Sequence, residues 1–184
     1  MKISYLVVSA AVSLSLVACS HNSPRYSPSA NNQEKLRDIV SHSPSGKLSV
    51  EPFTSAEPSR TSIVCRAAGT VQTPDGKSFE KFIEESLTSE LKMSGLYSAT
   101  SQKISGKLLN IDFNSNIGAG KWLIKMQFSC ADAKAFIVES QYDFSTNFIA
   151  DIACEQVSQA LPQATQDFIE KLINTADFKS CLSN

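Results

Sequence analysis

The chain has 184 residues, with 17 Lys and Arg against 18 Asp and Glu and a formal net charge of −1. With neither a long basic run nor an acidic block, it lacks the electrostatic footprint of a nucleic-acid binder or of a protein drawn to an anionic membrane surface. Its length, with 42% hydrophobic residues, suits one domain with a real core plus an appended segment.

Residues 3–19 are the one long apolar stretch, and they follow a lone positive charge at Lys2. The stretch is short for a transmembrane helix, which needs about 20 apolar residues, and it ends in small residues as an export signal does. Its last four residues, Leu16-Val17-Ala18-Cys19, resemble the lipobox of bacterial lipoproteins, where a diacylglycerol is attached to the cysteine thiol before the preceding peptide is removed. The resemblance implies a signal peptide over residues 1–18 and a fatty-acylated N-terminus at Cys19. An ordinary secretory signal with a chance cysteine is the plain alternative. Ser20 after the cysteine, in place of Asp, is similar to the pattern of lipoproteins sorted to the outer membrane, which implies anchorage at its periplasmic face.

Residues 19–45 are rich in Ser, Asn and Pro, with one short helical turn expected around residues 34–40. The composition predicts a flexible tether with a reach on the order of 28 Å. Docking of Leu36, Ile39 and Val40 on the domain is the alternative. The folded domain is expected over residues 46–184. It opens with an extended edge segment at 47–53, where Pro52 cannot donate to a ladder. A strand is expected at 60–71, with Ile63, Cys65, Ala67 and Val71 on one face. Thr73-Pro74-Asp75-Gly76 reads as a turn. Ser78 then caps a helix whose Phe79, Phe82, Ile83, Leu87 and Leu91 recur at helical spacing up to a Gly95 C-cap.

Three alternating runs follow, at 104–113, around 122–129 and at 136–144, and they predict a meander with one buried face. The 114–120 link reads as a loose hairpin loop. A last helix at 150–174 presents Ala153, Val157, Leu161, Ala164, Phe168 and Leu172 as an inward stripe, with Pro162 expected to kink or break it. The order β-β-α-β-β-β-α predicts an α+β two-layer sandwich, a mainly antiparallel sheet of four or five strands with two helices on one face.

Four cysteines remain for an oxidising compartment. A helix from Cys154 to residue 174 rises about 30 Å, which the short tail to Cys181 can retrace only if fully extended. Cys154, next to the inward Ala153, is therefore expected to bond the inward strand residue Cys65, leaving Cys130 for Cys181. Free buried thiols are the alternative.

Several pieces resemble a group of uncharacterised bacterial envelope lipoproteins: Ile63-Val64-Cys65-Arg66, Pro74-Asp75-Gly76-Lys77-Ser78-Phe79, Glu90-Leu91-Lys92, Gly95-Leu96-Tyr97, Ile111-Asp112-Phe113-Asn114-Ser115-Asn116, Tyr142-Asp143-Phe144 and Ala153-Cys154. The likeness spans residues 46–178 and carries no chemistry. It implies recurrence of the cysteines matching Cys65 and Cys154. The element order is also similar to that of small α+β lipoproteins such as the lipopolysaccharide-assembly lipoprotein, in architecture alone.

Catalytic groups are scarce. His21 and His42 both fall in the expected tether, so no histidine is expected in the domain, and the scattered cysteines do not make a metal set. Glu80, Glu84 and Glu85 are expected on a solvated helix face, Gly118-Ala119-Gly120 in a hairpin loop, and Arg66 with Asp112 in a structural ion pair. No cofactor is expected. The candidate surface is the 114–121 loop, with Asn114, Ser115, Asn116 and Lys121, together with a sheet face bearing Leu108, Leu123 and Ile137. These features predict a non-enzymatic interaction or accessory module of the envelope with a protein partner. The alternative is a carrier of a small apolar ligand or lipid held between helices and sheet.

Overall fold

The computed structural model describes residues 20–42, 45–130 and 134–182. The expected signal peptide and the acyl acceptor Cys19 lie outside the described residues, as does the turn expected at 131–133.

Within them the chain is α+β, with one sheet of five strands and one of three. The large sheet is built on the meander β6 (Gln102–Asn114), β7 (Gly120–Cys130) and β8 (Phe136–Phe144), antiparallel throughout. The edge segment joins β6 in parallel as two short pieces, β2 (Leu48–Val50) and β3 (Thr54–Ser55). They are interrupted around Pro52, which has no amide hydrogen to give. At the interruption the Phe53 ring lies over Gly106, where a Cβ would meet it at 2.8 Å. The sheet is thus mixed, its parallel part confined to the edge.

Helix α2 (Phe79–Ser94) ends at Gly95, which takes the left-handed conformation (φ 81°) while Leu96 N–H bonds the Leu91 carbonyl at 2.9 Å. Helix α3 (Ala150–Asn174) lies beside it on the same sheet face. Trp122 shows this, packing on Phe79 at the start of α2 (centroids 6.2 Å apart) and donating its indole N–H to the Val157 carbonyl of α3 at 3.0 Å. Phe128 stacks on Phe168 one layer along, and all four side chains are buried. Of the two outcomes expected at Pro162, the break does not occur: α3 is one continuous helix with Pro162 buried inside it. A short α4 (Ala176–Ser180) follows, capped by the Thr175 hydroxyl, which accepts from Phe178 N–H at 3.1 Å.

Residues 60–71 do not form one strand. They form a hairpin of β4 (Ser62–Cys65) and β5 (Gly69–Gln72), whose turn places Arg66 (φ 46°) and Ala67 (φ 53°) in the left-handed region. Neither is glycine, so no turn residue announced it. The segment expected as a tether is also built into the fold. Residues Ser20–Asn22 form β1, parallel to β5, in a small sheet of order β1-β5-β4. Helix α1 (Ala30–His42) packs on α2 and α3, with Leu36 fully buried in the common core and Ile39 and Val40 packed against it.

Two disulfides close the fold. Cys65 bonds Cys154 and Cys130 bonds Cys181, each with α-carbons 5.8 Å apart. These are the pairs that helix length and strand face select. The first joins the small sheet to the first turns of α3, and the second joins the end of β7 to the C-terminal segment.

Candidate interaction surface

One end of the molecule collects the β4–β5 turn, the β6–β7 loop and the segment leading into α3. Arg66 ties them together. Its Nε donates to the Ser115 hydroxyl at 3.1 Å, and its Nη1 donates to the carbonyls of Asn147 and Phe148 at 3.0 and 3.2 Å. The expected pairing with Asp112 does not occur, because the guanidinium is turned to these carbonyls while Asp112 Oδ1 accepts from the Phe113 amide. The left-handed turn at Arg66 and Ala67 is held from both sides, by the Arg66 bonds and by the adjacent Cys65–Cys154 bridge.

The 114–121 loop is ordered by the Asn114 side chain and by Thr146 from the link before α3. Asn114 Oδ1 accepts from Asn116 N–H at 2.7 Å, the Thr146 hydroxyl donates to the Asn116 carbonyl, and Gly118 N–H bonds the Thr146 carbonyl at 3.1 Å. Gly120 must be glycine on packing grounds, since a Cβ there would meet the Phe144 ring at 2.5 Å. Lys121 pairs across the hairpin with Asn114 and, on its other side, with Asp143. Beside the loop is an open groove of about 810 Å³, lined among others by Val64, Arg66, Asp112, Phe113, Ile117 and Leu123.

The three apolar residues expected to share the outer sheet face do not cluster. A bulge between Leu108 and Asn110 shifts the register of β6, so Leu108 lies opposite Met126 on the core face and is buried. Leu123 lines the groove, but Ile137 pairs with Gln127, four positions further along β7, on the order of 13 Å away. The apolar residues that do stand exposed at this end are different ones: Phe148 (73% exposed), Ile117 (71%), Val64 (69%), Ile149 and Ile152. Of these only Ile117 falls in the loop singled out from the sequence; the sequence puts Val64 on the back of a long strand, and Phe148, Ile149 and Ile152 carry no pattern that marks them as surface.

The charged candidates are also redistributed. Glu80 and Glu84 are buried rather than solvated, because the segment from Phe53 to Arg60 crosses that side of α2. Glu84 accepts from Phe53 N–H at 2.9 Å and from Lys81 at 2.5 Å, and Glu80 accepts from the Ser59 hydroxyl. The bond to Glu84 raises the pKa of Lys81. Glu85 does remain half-exposed, bonded to Lys77 at 2.5 Å. His21, placed outside the domain on sequence grounds, is buried in β1 with its ring nitrogens 3.3 Å from Glu155 and 3.5 Å from Asp151. Among the described residues no group of His, Cys, Asp and Glu is arranged to hold a metal ion.

No family model matches the chain, and no curated protein matches it in sequence. Among solved structures, a Xanthomonas campestris protein of the DUF330 family superposes with a TM-score of 0.52 at 12% identity, over 84% of this chain and 95% of that one. The chain shares its fold with a bacterial DUF330 protein. Two further structures are more distant: an uncharacterised protein (TM-score 0.42, 6% identity, 83% and 99% of the two chains) and a hypothetical protein of Chlamydia trachomatis (TM-score 0.38, 8% identity, 70% and 95%). The DUF330 likeness extends over nearly the whole of that chain, so it covers the α+β body and not a fragment of it.

Proposed function

We propose that this protein is a lipoprotein anchored through acylated Cys19 at the periplasmic face of the outer membrane, acting as a non-enzymatic interaction or accessory module in envelope assembly or maintenance. The observation that carries the reading is Leu16-Val17-Ala18-Cys19 standing immediately before the first strand. Two disulfides suit an oxidising compartment. The partner is an envelope protein, and nothing in the reading calls for a nucleic acid or a cofactor. The buried carboxylates Glu80, Glu84 and Glu90 are engaged in holding segments together, which favours a binding module over an enzyme. The space between helices and sheet is filled by Trp122, Phe79, Phe128 and Phe168, which favours it over a carrier with an internal ligand.

Metabolic labelling with an alkyne fatty acid tests the anchor. Label is expected on the parent and absent from Cys19→Ala, because the thiol is the acyl acceptor. Label persisting on the variant would overturn the reading. Crosslinking in intact cells then tests the partner.

A further inference from the structure

Of the seven large hydrophobic residues that stand exposed among the described residues, five are Val64, Ile117, Phe148, Ile149 and Ile152, all at one end of the molecule. They lie on four different segments. These segments are not loose: Arg66 bonds the 115 and 147–148 positions, Gly118 and Thr146 join the hairpin loop to the link before α3, and Cys65–Cys154 joins β4 to the first turns of α3. Apolar side chains held outward on a braced framework are poised for burial against something else.

The first described residue, Ser20, lies at the same end. Thr70 pairs with Ser20 on one side and with Val64 on the other, so Ser20, Thr70 and Val64 form one row across the small sheet. At about 4.8 Å between neighbouring strands, Ser20 lies about 10 Å from Val64. The next residue, His21, lies against Asp151 and Glu155 in the first turns of α3, one helical turn or less from Ile152. Nineteen residues precede Ser20, and the last of them is Cys19. Cys19 is covalently next to Ser20, so an acyl chain carried on its thiol would meet the bilayer beside these exposed apolar residues.

We propose that this end is a membrane-docking face, in which Val64, Ile117, Phe148, Ile149 and Ile152 insert into the acyl boundary of the bilayer that holds the Cys19 lipid. The proposal rests on Cys19 acylation. It fixes the orientation of the domain. Strand β6 runs thirteen residues from this end to Gln102, so Met93 and the Gly95 cap, beside β2 at the far end, stand on the order of 40 Å from the lipid.

The chain has a single tryptophan, the fully buried Trp122, which makes introduced tryptophans readable. The full-length protein, processed in the bacterium with an alkyne fatty acid label, is reconstituted into vesicles of phosphatidylethanolamine and phosphatidylglycerol containing bromine-labelled phosphatidylcholine. Phe148→Trp and, independently, Ile117→Trp are expected to lose at least half of their added fluorescence, whereas Met93→Trp and the parent change little. Similar quenching at Phe148→Trp and Met93→Trp on labelled protein, whether weak or strong, overturns the docking face and leaves the anchor standing. Shielding of Phe148→Trp from both bromolipid and aqueous iodide assigns the patch to a protein partner or a second copy and likewise overturns it. Absence of label at Cys19 overturns the anchor reading and this one with it.

Discussion

The sheet with its two covering helices and the N-terminal layer laid over them are held by different forces. Between α2, α3 and the meander the contacts are almost wholly apolar: Trp122, Phe79, Phe128, Phe168, Leu87 and Ile124 are buried with one indole hydrogen bond among them. Between the N-terminal segment and the helices the centre is a charge. Glu90 is fully buried on α2, and its carboxylate accepts from the Tyr26 hydroxyl at 2.6 Å, from Ser29 N–H at 2.9 Å, from Asn32 at 3.3 Å and from Gln33, whose amide also reaches the Glu90 carbonyl at 3.1 Å. Asn32 bonds on to the Gln166 carbonyl of α3. Apolar burial is tolerant of the exact partner, whereas a buried carboxylate needs its donors in place and so fixes the register of the segment that brings them. A polar stretch with few large apolar residues thereby docks at one defined position.

The largest effect is expected at the bridge that joins the small sheet to α3. Replacing Cys65 and Cys154 together by Ser opens a loop with a sequence separation of 89. The loss is expected to be about 4–5 kcal/mol in denaturant unfolding, with the hairpin and β1 becoming the first amides to exchange. Loss shared evenly by every amide would mean that the small sheet is not a separate unit.

A smaller and more local effect is expected from Glu90→Ala, which removes the acceptor shared by Tyr26, Ser29, Asn32 and Gln33, of which only Asn32 and Gln33 keep a backbone carbonyl. About 2–3 kcal/mol should be lost. Hydrogen exchange should accelerate over α1 and the 26–33 segment while β6, β7 and β8 keep their protection. Equal acceleration in the sheet would break the distinction drawn here.

The smallest effect is a pH dependence. Burial first, and then the bond and charge of Glu90, hold the Tyr26 phenol well above its ordinary value of 10.0. The unfolded phenol loses its proton near pH 10 while the folded one keeps it, so this contribution is complete below about pH 10 and declines as pH rises beyond that. Tyr26→Phe is expected to cost about 1 kcal/mol at neutral pH through the lost hydrogen bond. It should also flatten the decline between pH 10 and 11 in urea unfolding. An unchanged alkaline slope would place the Tyr26 hydroxyl in solvent.

Much of the large sheet was legible because its signals are local. Trp122, Ile124, Met126 and Phe128 alternate with Leu123, Lys125 and Gln127, α2 carries its stripe from Phe79 to Leu91, and Gly95 stops it where a left-handed residue is required. The candidate surface was legible only in part. Arg66 and Ala67 turn the chain without a glycine, and the bulge after Leu108 reverses a face that strict alternation puts outward. Both features are sustained by neighbours distant in the chain.

By itself, then, the order of residues pointed to the meander, the two long helices, the α+β class and, through helix length together with strand face, the two cysteine pairs that the structure forms. These follow from hydrophobic period and from covalent reach, which act over a few residues or through simple distance. Only the tertiary structure decided that residues 20–42 belong to the body of the protein, that Glu90 is buried and His21 with it, and that Val64, Ile117 and Phe148 meet at one end. A polar segment carries no periodic signature of its own, and its position is set by donors whose acceptors stand on α2 and α3, far away in the chain.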